Sequence, residues 1–231
     1  MQVPSFPEAN HPLVKTLFHY SDRELLTLYQ RHPDEGKYFT AIFCRYSQIV
    51  YTLIQHSVKS PVQADYLFAS IWRHLFHELR SLDVREGANG DETVAGSLTL
   101  QNWIINMTAL CINQADLPPV ESIRYSLEAA PPPLWCYLLQ SLDLLPPLQR
   151  LVVVMAQTFH WSEGRIAAYL QAEGDAISPA EVLQQLQLAY STLESSLPED
   201  IRSIYLEKNS TDPERNGELS GVGRSSMPQS L

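Results

Sequence analysis

Residues 39–79 read FTAIFCRYSQIVYTLIQHSVKSPVQADYLFASIWRHLFHEL, and this stretch decides the fold class. Its apolar positions recur every three or four residues, the spacing that places side chains on one face of a helix. A first set is Phe39, Ile42, Phe43, Tyr46, Ile49, Val50 and Leu53, and a second set is Leu67, Phe68, Ile71, Trp72, Leu75, Phe76 and Leu79. The short interval between the sets predicts two helices packed as an antiparallel hairpin.

Helical spacing continues on the carboxyl-terminal side of this hairpin. Residues 84–97, VREGANGDETVAGS, contain three glycines and no apolar period, so they are expected to form a mobile loop. The apolar residues between Leu100 and Cys111 return to the helical period, and this helix is expected to end before Pro118 and Pro119.

Four shorter helical patterns follow a second proline cluster at residues 131–133: Trp135 to Leu144, Leu148 to Phe159, Glu163 to Gln171 and Pro179 to Leu197. The last has the clearest start. Ser178 can cap the helix, Pro179 suits its first position, and Glu181 can complete a capping box. No strand-like alternation of useful length is present in the sequence.

These patterns predict an all-α chain of two small helical domains joined by a proline-rich linker. The expected boundaries are an amino-terminal extension (1–19), a first domain (20–116), the linker (117–133), a second domain (134–206) and a tail (207–231). The tail is expected to be disordered, because it is polar and glycine-rich and contains few apolar residues.

Composition limits the class of protein. The longest apolar run is far shorter than a membrane span of about 18 residues, and the first residues lack a secretory signal pattern. A cytoplasmic protein without membrane contact is therefore expected. The thiols of Cys44, Cys111 and Cys136 are odd in number and widely spaced, as expected of reduced cysteines packed in apolar surroundings.

The net charge of −10 is concentrated in the second half of the chain. Residues 1–83 hold eight basic and eight acidic side chains, whereas residues 140–231 hold six and twelve. A free-standing DNA-binding protein usually presents a basic face to the phosphates. The predicted second domain, with only Arg150, Arg165 and Arg202 as basic residues, is therefore not expected to bind duplex DNA by itself at physiological salt.

The order of these elements resembles that of a sigma factor of bacterial RNA polymerase. The order is a helical hairpin, a loop, a tryptophan-bearing helix, a proline-rich linker and a compact helical carboxyl-terminal region. The resemblance is to a divergent member of the extracytoplasmic-function type and covers about residues 20–200. It implies that the helix QADYLFASIWRHLFHEL docks on the polymerase core. The implied contact residues are Asp65, Tyr66, Leu67 and Arg73, although the family is commonly more acidic in this segment.

In the same resemblance, LQNWIINMTALCIN is similar to the helix that melts promoter DNA. The implied residues are Asn102, Trp103, Asn106 and Asn113, with Trp103 as the aromatic that could stack on a displaced base. Trp103 also falls on the apolar stripe of its helix, so a core tryptophan in the hairpin interface is an alternative interpretation. No arginine lies between Val94 and Arg124, whereas the family often has several there.

The segment LDLLPPLQRLVVVMAQTFHWSEGRIAAYLQ resembles the start of the family's promoter-reading domain, which implies a helix-turn-helix. WSEGRIAAYL would be its supporting helix, and SPAEVLQQLQLAYSTL its recognition helix. The implied recognition residues are Ser178, Glu181, Gln184, Gln185 and Gln187. Glutamine can pair with adenine in the major groove, but residues 179–200 contain no arginine or lysine to hold phosphates.

Other chemistries have weaker support. His74, His77 and Glu78 have a spacing that a metal site could use, but no further ligand is evident, and a polar helix face is the preferred interpretation. The sequence has no nucleophile elbow and no glycine-rich phosphate loop, so neither an enzyme nor a cofactor is expected.

Two functions therefore stay open. The first is a transcription-initiation factor that binds RNA polymerase core and reaches promoter DNA only within the holoenzyme. The second is a sigma-like regulator that acts through protein interaction and has lost direct DNA recognition. An anti-sigma factor or another regulatory protein is a further candidate partner in either case.

Overall fold

The computed structural model describes residues 4–83 and 99–207, and in these ranges the chain is all-α, without a β-strand. The α-helices are α1 (Pro12–Lys15), α2 (Asp22–Arg31), α3 (Gly36–Gln55), α4 (Pro61–Glu78), α5 (Leu100–Gln114), α6 (Pro132–Leu144), α7 (Pro147–Thr158), α8 (Glu163–Ala172), α9 (Pro179–Ser196) and α10 (Glu199–Tyr205). Two short 3₁₀ helices span Pro7–Asn10 and Val120–Ser122. The predicted loop at 84–97 lies outside the described residues, as does the predicted tail from residue 208 onward.

The predicted hairpin of α3 and α4 is confirmed, and a ladder of aromatic rings joins the two helices. Phe39 contacts Phe76 and Phe43 contacts Trp72, each with ring centroids 4.9 Å apart and in edge-to-face geometry. Toward the other end, the rings of Tyr51 and Phe68 are 5.1 Å apart. As the residue number of the ring on α3 increases, the residue number of its partner on α4 decreases, so the two helices are antiparallel. Edge-to-face aromatic pairs add stability beyond the apolar area that they bury.

The residues before α3 also pack on this hairpin. The ring of Phe6 lies 4.9 Å from that of Phe43 and 5.6 Å from that of Phe68. Val14 in α1 is completely buried. Helix α2, which was not among the predicted helices, begins at a capping box formed by Ser21 and Glu24. The amino-terminal residues thus belong to the first apolar core, which also includes Leu100 and Ile104 of α5.

Helices α7, α8 and α9 surround a second apolar core. The buried members are Leu145, Val152, Val153, Met155, Ile166, Ala167, Leu170, Ile177, Val182, Leu186, Ala189 and Leu193. Helices α8 and α9 are joined by six residues that include Gly174, whose φ of 103° lies in the left-handed region. Glycine adopts this conformation without steric cost, which allows the tight reversal after α8. The predicted helix pattern from Trp135 to Leu197 agrees with α6 to α9.

Helices α6 and α10 pack in the first core, although they flank the second core in sequence. Leu134, Cys136 and Tyr137 of α6 and Ile201 and Ile204 of α10 are all buried there. The ring of Tyr137 is 5.1 Å from that of Phe76. The predicted boundary at residue 134 therefore falls just inside a helix that contacts α4, and the predicted two-domain division stays a prediction.

Asp200 of α10 caps the amino terminus of α3 across 164 residues of sequence. Its carboxylate accepts hydrogen bonds from the backbone amides of Gly36 (3.1 Å) and Lys37 (2.8 Å). The residue directly before α3, Glu35, makes no side-chain cap. The first amides of a helix have no partner within the helix, so a carboxylate placed there satisfies them and complements the helix dipole.

The predicted linker follows the surface of the first core. Leu117 and Leu127 are partly buried against that core. The side-chain amide of Gln63 in α4 donates to the carbonyl of Pro118 (3.0 Å), and the hydroxyl of Tyr125 donates to the carbonyl of Ala130 (2.7 Å). Residues 115–131 thus make specific contacts along their path.

Candidate nucleic-acid and polymerase interfaces

The four residues implied in polymerase binding lie on α4 but do not share one exposed surface. Leu67 is buried in the first core, because it belongs to the apolar stripe that packs on α3. Asp65 and Tyr66 are half-buried, and Arg73 is exposed two turns further along. Only Asp65, Tyr66 and Arg73 therefore present side chains that a partner could reach.

Asp65 is held by a hydrogen bond within the fold. Its Oδ1 accepts from the hydroxyl of Tyr51 on α3 at 2.7 Å. Burial raises the pKa of Tyr51, and the hydrogen bond to Asp65 raises that pKa further, so the phenol stays a proton donor at neutral pH. One carboxylate oxygen of Asp65 is thus engaged, which orients the group on the surface of α4.

Arg73 connects α4 to α6 through an aromatic contact. Its guanidinium lies over the ring of Trp135, 5.4 Å from the centroid, and that ring in turn lies 5.1 Å from the ring of Tyr125. Cation–π contacts of this kind are weak at exposed sites but they orient both groups. The exposed edge of α4 is therefore continuous with the linker and α6.

On α5, the three implied asparagines point to solvent. Asn102, Asn106 and Asn113 are exposed, and their spacing of four and seven residues places them on one face of the helix. Helix α5 contains no charged residue, so this face offers hydrogen-bond donors and acceptors without a net charge. Such a face can contact base edges or sugars but cannot neutralise phosphates.

Trp103 lies beside this face and is partly buried against the first core. This position is compatible both with a core tryptophan and with a ring that stacks on a base. Part of the ring contributes to packing of α5 on the hairpin, and part remains accessible to solvent. A base could stack only on that accessible part.

The predicted cap of α9 is confirmed in detail. The Oγ of Ser178 accepts from the amide of Glu181 (3.3 Å), and the Glu181 carboxylate accepts from the amide and the hydroxyl of Ser178, each at 2.7 Å. The backbone hydrogen bond, followed by the hydroxyl, lowers the pKa of Glu181 from its ordinary value of 4.5. These two implied recognition residues are thus engaged in forming the helix start.

The three implied glutamines differ in availability. Gln184 and Gln187 are exposed. Gln185 is half-buried, and its Oε1 accepts a hydrogen bond from Nε2 of Gln149 on α7 (3.2 Å). A nucleic acid approaching α9 would therefore meet Gln184 and Gln187 before Gln185.

The exposed surface of α9 is more apolar than the sequence interpretation anticipated. Leu183 and Leu188 are 45% and 48% exposed, and Tyr190 is 39% exposed. Tyr190 also accepts a hydrogen bond from Gln157 of α7 at its hydroxyl (2.5 Å). Apolar residues displayed in this way suit contact with a protein better than contact with phosphates. In the sequence, this apolar surface is indicated by the leucines that lie between the glutamines of α9.

Metal binding has no support from the geometry of the described residues, in which no group of three or more His, Cys, Asp or Glu side chains is placed to hold an ion. His74 and His77 are exposed on α4. Burial lowers the pKa of His77, and Arg80 and Arg73 lower it further. Within residues 4–83 and 99–207, no helix combines the length and the apolar character that crossing a membrane requires.

Comparisons with models of protein families, with curated proteins and with solved structures found no match to this chain.

Proposed function

We propose that this protein is a sigma-like transcription-initiation factor that binds RNA polymerase core and brings it to promoter DNA. The observation that carries the proposal is the exposure of side-chain amides on two helices: Asn102, Asn106 and Asn113 on α5, and Gln184 and Gln187 on α9. Amides of this kind read base edges but supply no phosphate affinity, so the affinity for DNA would come from the polymerase. In this proposal α8 and α9 act as the supporting and recognition helices of a helix-turn-helix.

The exposed edge of α4 is the proposed polymerase contact. Arg73 is an exposed charged residue on this edge, and Asp65 and Tyr66 lie two turns before it. We expect Arg73→Glu to weaken retention on immobilised core polymerase at least fivefold, because it reverses the charge of this edge. Lys59→Glu makes the same charge change at an exposed position outside α4 and serves as the matched control. Equal retention of the two variants would contradict the proposed contact.

Promoter reading is tested separately from polymerase binding. Run-off transcription from genomic fragments with core polymerase and this protein should yield discrete transcripts. Replacing both Gln184 and Gln187 by alanine should abolish those transcripts while retention on core polymerase is kept. Gln48→Ala, an exposed glutamine on α3, is the control. Transcripts that persist in the double variant would show that α9 does not read the promoter.

A second candidate function is a sigma-like regulator that acts by protein contact without reading DNA. The exposed apolar side chains of Leu183, Leu188 and Tyr190 on α9 favour it. In this case core polymerase or a regulatory protein would be retained, transcripts would be absent, and Leu183→Ser with Leu188→Ser would reduce retention. Leu151→Ser, at a leucine of similar exposure on α7, would leave retention unchanged.

A further inference from the structure

Three aromatic rings meet at the corner between α7 and α8. The ring of Trp161 lies 5.7 Å from that of Phe159 and 5.6 Å from that of Tyr169. Phe159 is 58% exposed and Tyr169 is 43% exposed. Aromatic rings grouped on a surface with this much exposure mark an interaction site more often than isolated apolar residues do.

Two arginines flank these rings. The guanidinium of Arg165 lies over the ring of Trp161, 4.4 Å from its centroid. Arg124 approaches from the linker, across a cavity of about 390 Å³ lined by Ser122, Arg124, Thr158, Phe159, His160 and Trp161. We name this set, together with Tyr169 and Arg165, the aromatic–arginine corner.

The charge at this corner differs from that of its surroundings. Residues 117–206 contain four arginines and no lysine, and two of the four are at the corner. Of the other two, Arg150 donates to the carbonyls of Asp143 (2.8 Å) and Leu145 (3.3 Å). The nearest carboxylates in sequence, Glu121 and Glu163, are exposed and do not line the cavity.

The backbone holds the corner in an unusual conformation. His160 has a φ of 52°, the left-handed region that glycine favours, and the following amide of Trp161 donates to the carbonyl of Met155 (3.2 Å). This turn places Phe159 and Trp161 on the same side of the chain reversal. A non-glycine residue held in such a conformation is found disproportionately at functional sites.

We propose that the aromatic–arginine corner binds single-stranded nucleic acid. Unpaired bases stack on the exposed ring faces, and the guanidinium groups of Arg124 and Arg165 contact the adjoining phosphates. A duplex is a poor ligand, because its bases are already stacked and two arginines release few counterions. A purely apolar peptide would gain nothing from the two arginines. The proposal does not depend on polymerase binding, since only these side chains take part.

The test is fluorescence anisotropy with the full chain and labelled 12-nucleotide single strands of thymidine or of mixed sequence. The matching duplex is measured in parallel, and salt is varied between about 0.05 and 0.15 M. We expect the single strands to bind at least tenfold more tightly than the duplex. Absence of single-strand binding at the lowest salt, or equal binding of the duplex, would overturn the proposal.

Two variants assign the binding to the corner. Phe159→Ala with Tyr169→Ala should weaken single-strand binding at least tenfold, whereas Phe18→Ala, at a ring that is 40% exposed outside the corner, should not. Arg124→Gln with Arg165→Gln should weaken binding and reduce the slope of log affinity against log salt by about 1.4, since each single-strand phosphate contact contributes about 0.7.

Arg31→Gln, which removes an exposed charge on α2, should leave that slope unchanged. Thermal unfolding midpoints of all variants are measured to show that they are folded. Folded aromatic variants that keep wild-type affinity, or arginine variants that keep the wild-type salt slope, would overturn the proposed contacts.

Discussion

Gly36 and Gly164 both lie in helices, but the first is closely packed and the second is not. A Cβ atom on Gly36 at the start of α3 would overlap the side chain of Ile201 and lie 2.9 Å from Cε2 of Tyr137. At Gly164 in α8, no atom of the described residues, apart from its chain neighbours and the backbone of its own helix, lies within 4 Å of the corresponding position. The close approach at Gly36 is what allows α6 and α10 to pack against the start of α3.

We expect Gly36→Ala to lower the free energy of unfolding by about 1–3 kcal/mol, because the added methyl group forces the packed side chains of α6 and α10 apart. Gly164→Ala is the matched control. It should raise the free energy of unfolding by about 0.5–1 kcal/mol, because alanine is the better helix former and no contact is disturbed. Urea unfolding of both variants measures the difference, and changes of the same sign would contradict the packing at Gly36.

The left-handed backbone conformation of His160 is expected to reduce the stability of the fold. Glycine adopts a positive φ freely, whereas a residue with a Cβ atom loses about 1 kcal/mol there. His160→Gly should therefore raise the free energy of unfolding by up to about 1 kcal/mol. His160→Ala keeps the Cβ atom and should bring no such gain. If the alanine variant were stabilised as much as the glycine variant, backbone strain at residue 160 would not be the cause.

The start of helix α9 depends on the ionised carboxylate of Glu181, which accepts hydrogen bonds from the amide and the hydroxyl of Ser178. These hydrogen bonds lower its pKa below the ordinary 4.5. A carboxyl group whose pKa is lower in the folded state stabilises the fold above its unfolded pKa, and the contribution is lost as the pH falls through the folded value.

We therefore expect Glu181→Gln to be less stable than the wild type at pH 6, with the difference shrinking as the pH is lowered from 5 toward 3. Glutamine keeps an acceptor for the cap but carries no charge and does not titrate. Glu194→Gln removes a carboxylate later in the same helix, outside the cap, and is the control. A stability difference that stayed constant over this pH range would contradict the role of ionised Glu181.

Helices α6 and α10, from the second half of the chain, complete the first core. Leu134, Tyr137, Ile201 and Ile204 are each at most 6% exposed and cover faces of α3 and α4. Asp200 in addition caps α3. Residues on both sides of α7–α9 in sequence therefore stabilise a core formed mainly by the first half of the chain.

We expect a chain ending at residue 131 to lose cooperative unfolding or to melt at least 10 °C below the full chain, because it exposes the apolar surface that α6 and α10 cover. A chain ending at residue 207 retains every described contact and should melt within a few degrees of the full chain. Circular dichroism during thermal unfolding measures both. A sharp transition at the wild-type temperature in the shorter chain would show that residues 4–131 fold independently.

Sequence patterns alone predict the all-α class, the hairpin of α3 and α4, and the cap of α9. These features are local, because apolar residues three or four apart share a helix face and Ser178 lies only three residues from Glu181. The exposure of Asn102, Asn106 and Asn113 follows from the same periodicity, since they fall opposite the apolar stripe of α5.

The grouping of helices into cores is seen only in the folded chain. An apolar stripe shows that a helix packs but not on which partner, so the packing of α6 and α10 on α3 and α4 was hidden in the sequence. Asp200 accepts a hydrogen bond from Gly36 across 164 residues, and Arg124 of the linker lines the same cavity as Phe159 and Trp161. Contacts between residues so far apart depend on the path of the whole chain. The spacing of residues within one helix does not indicate that path.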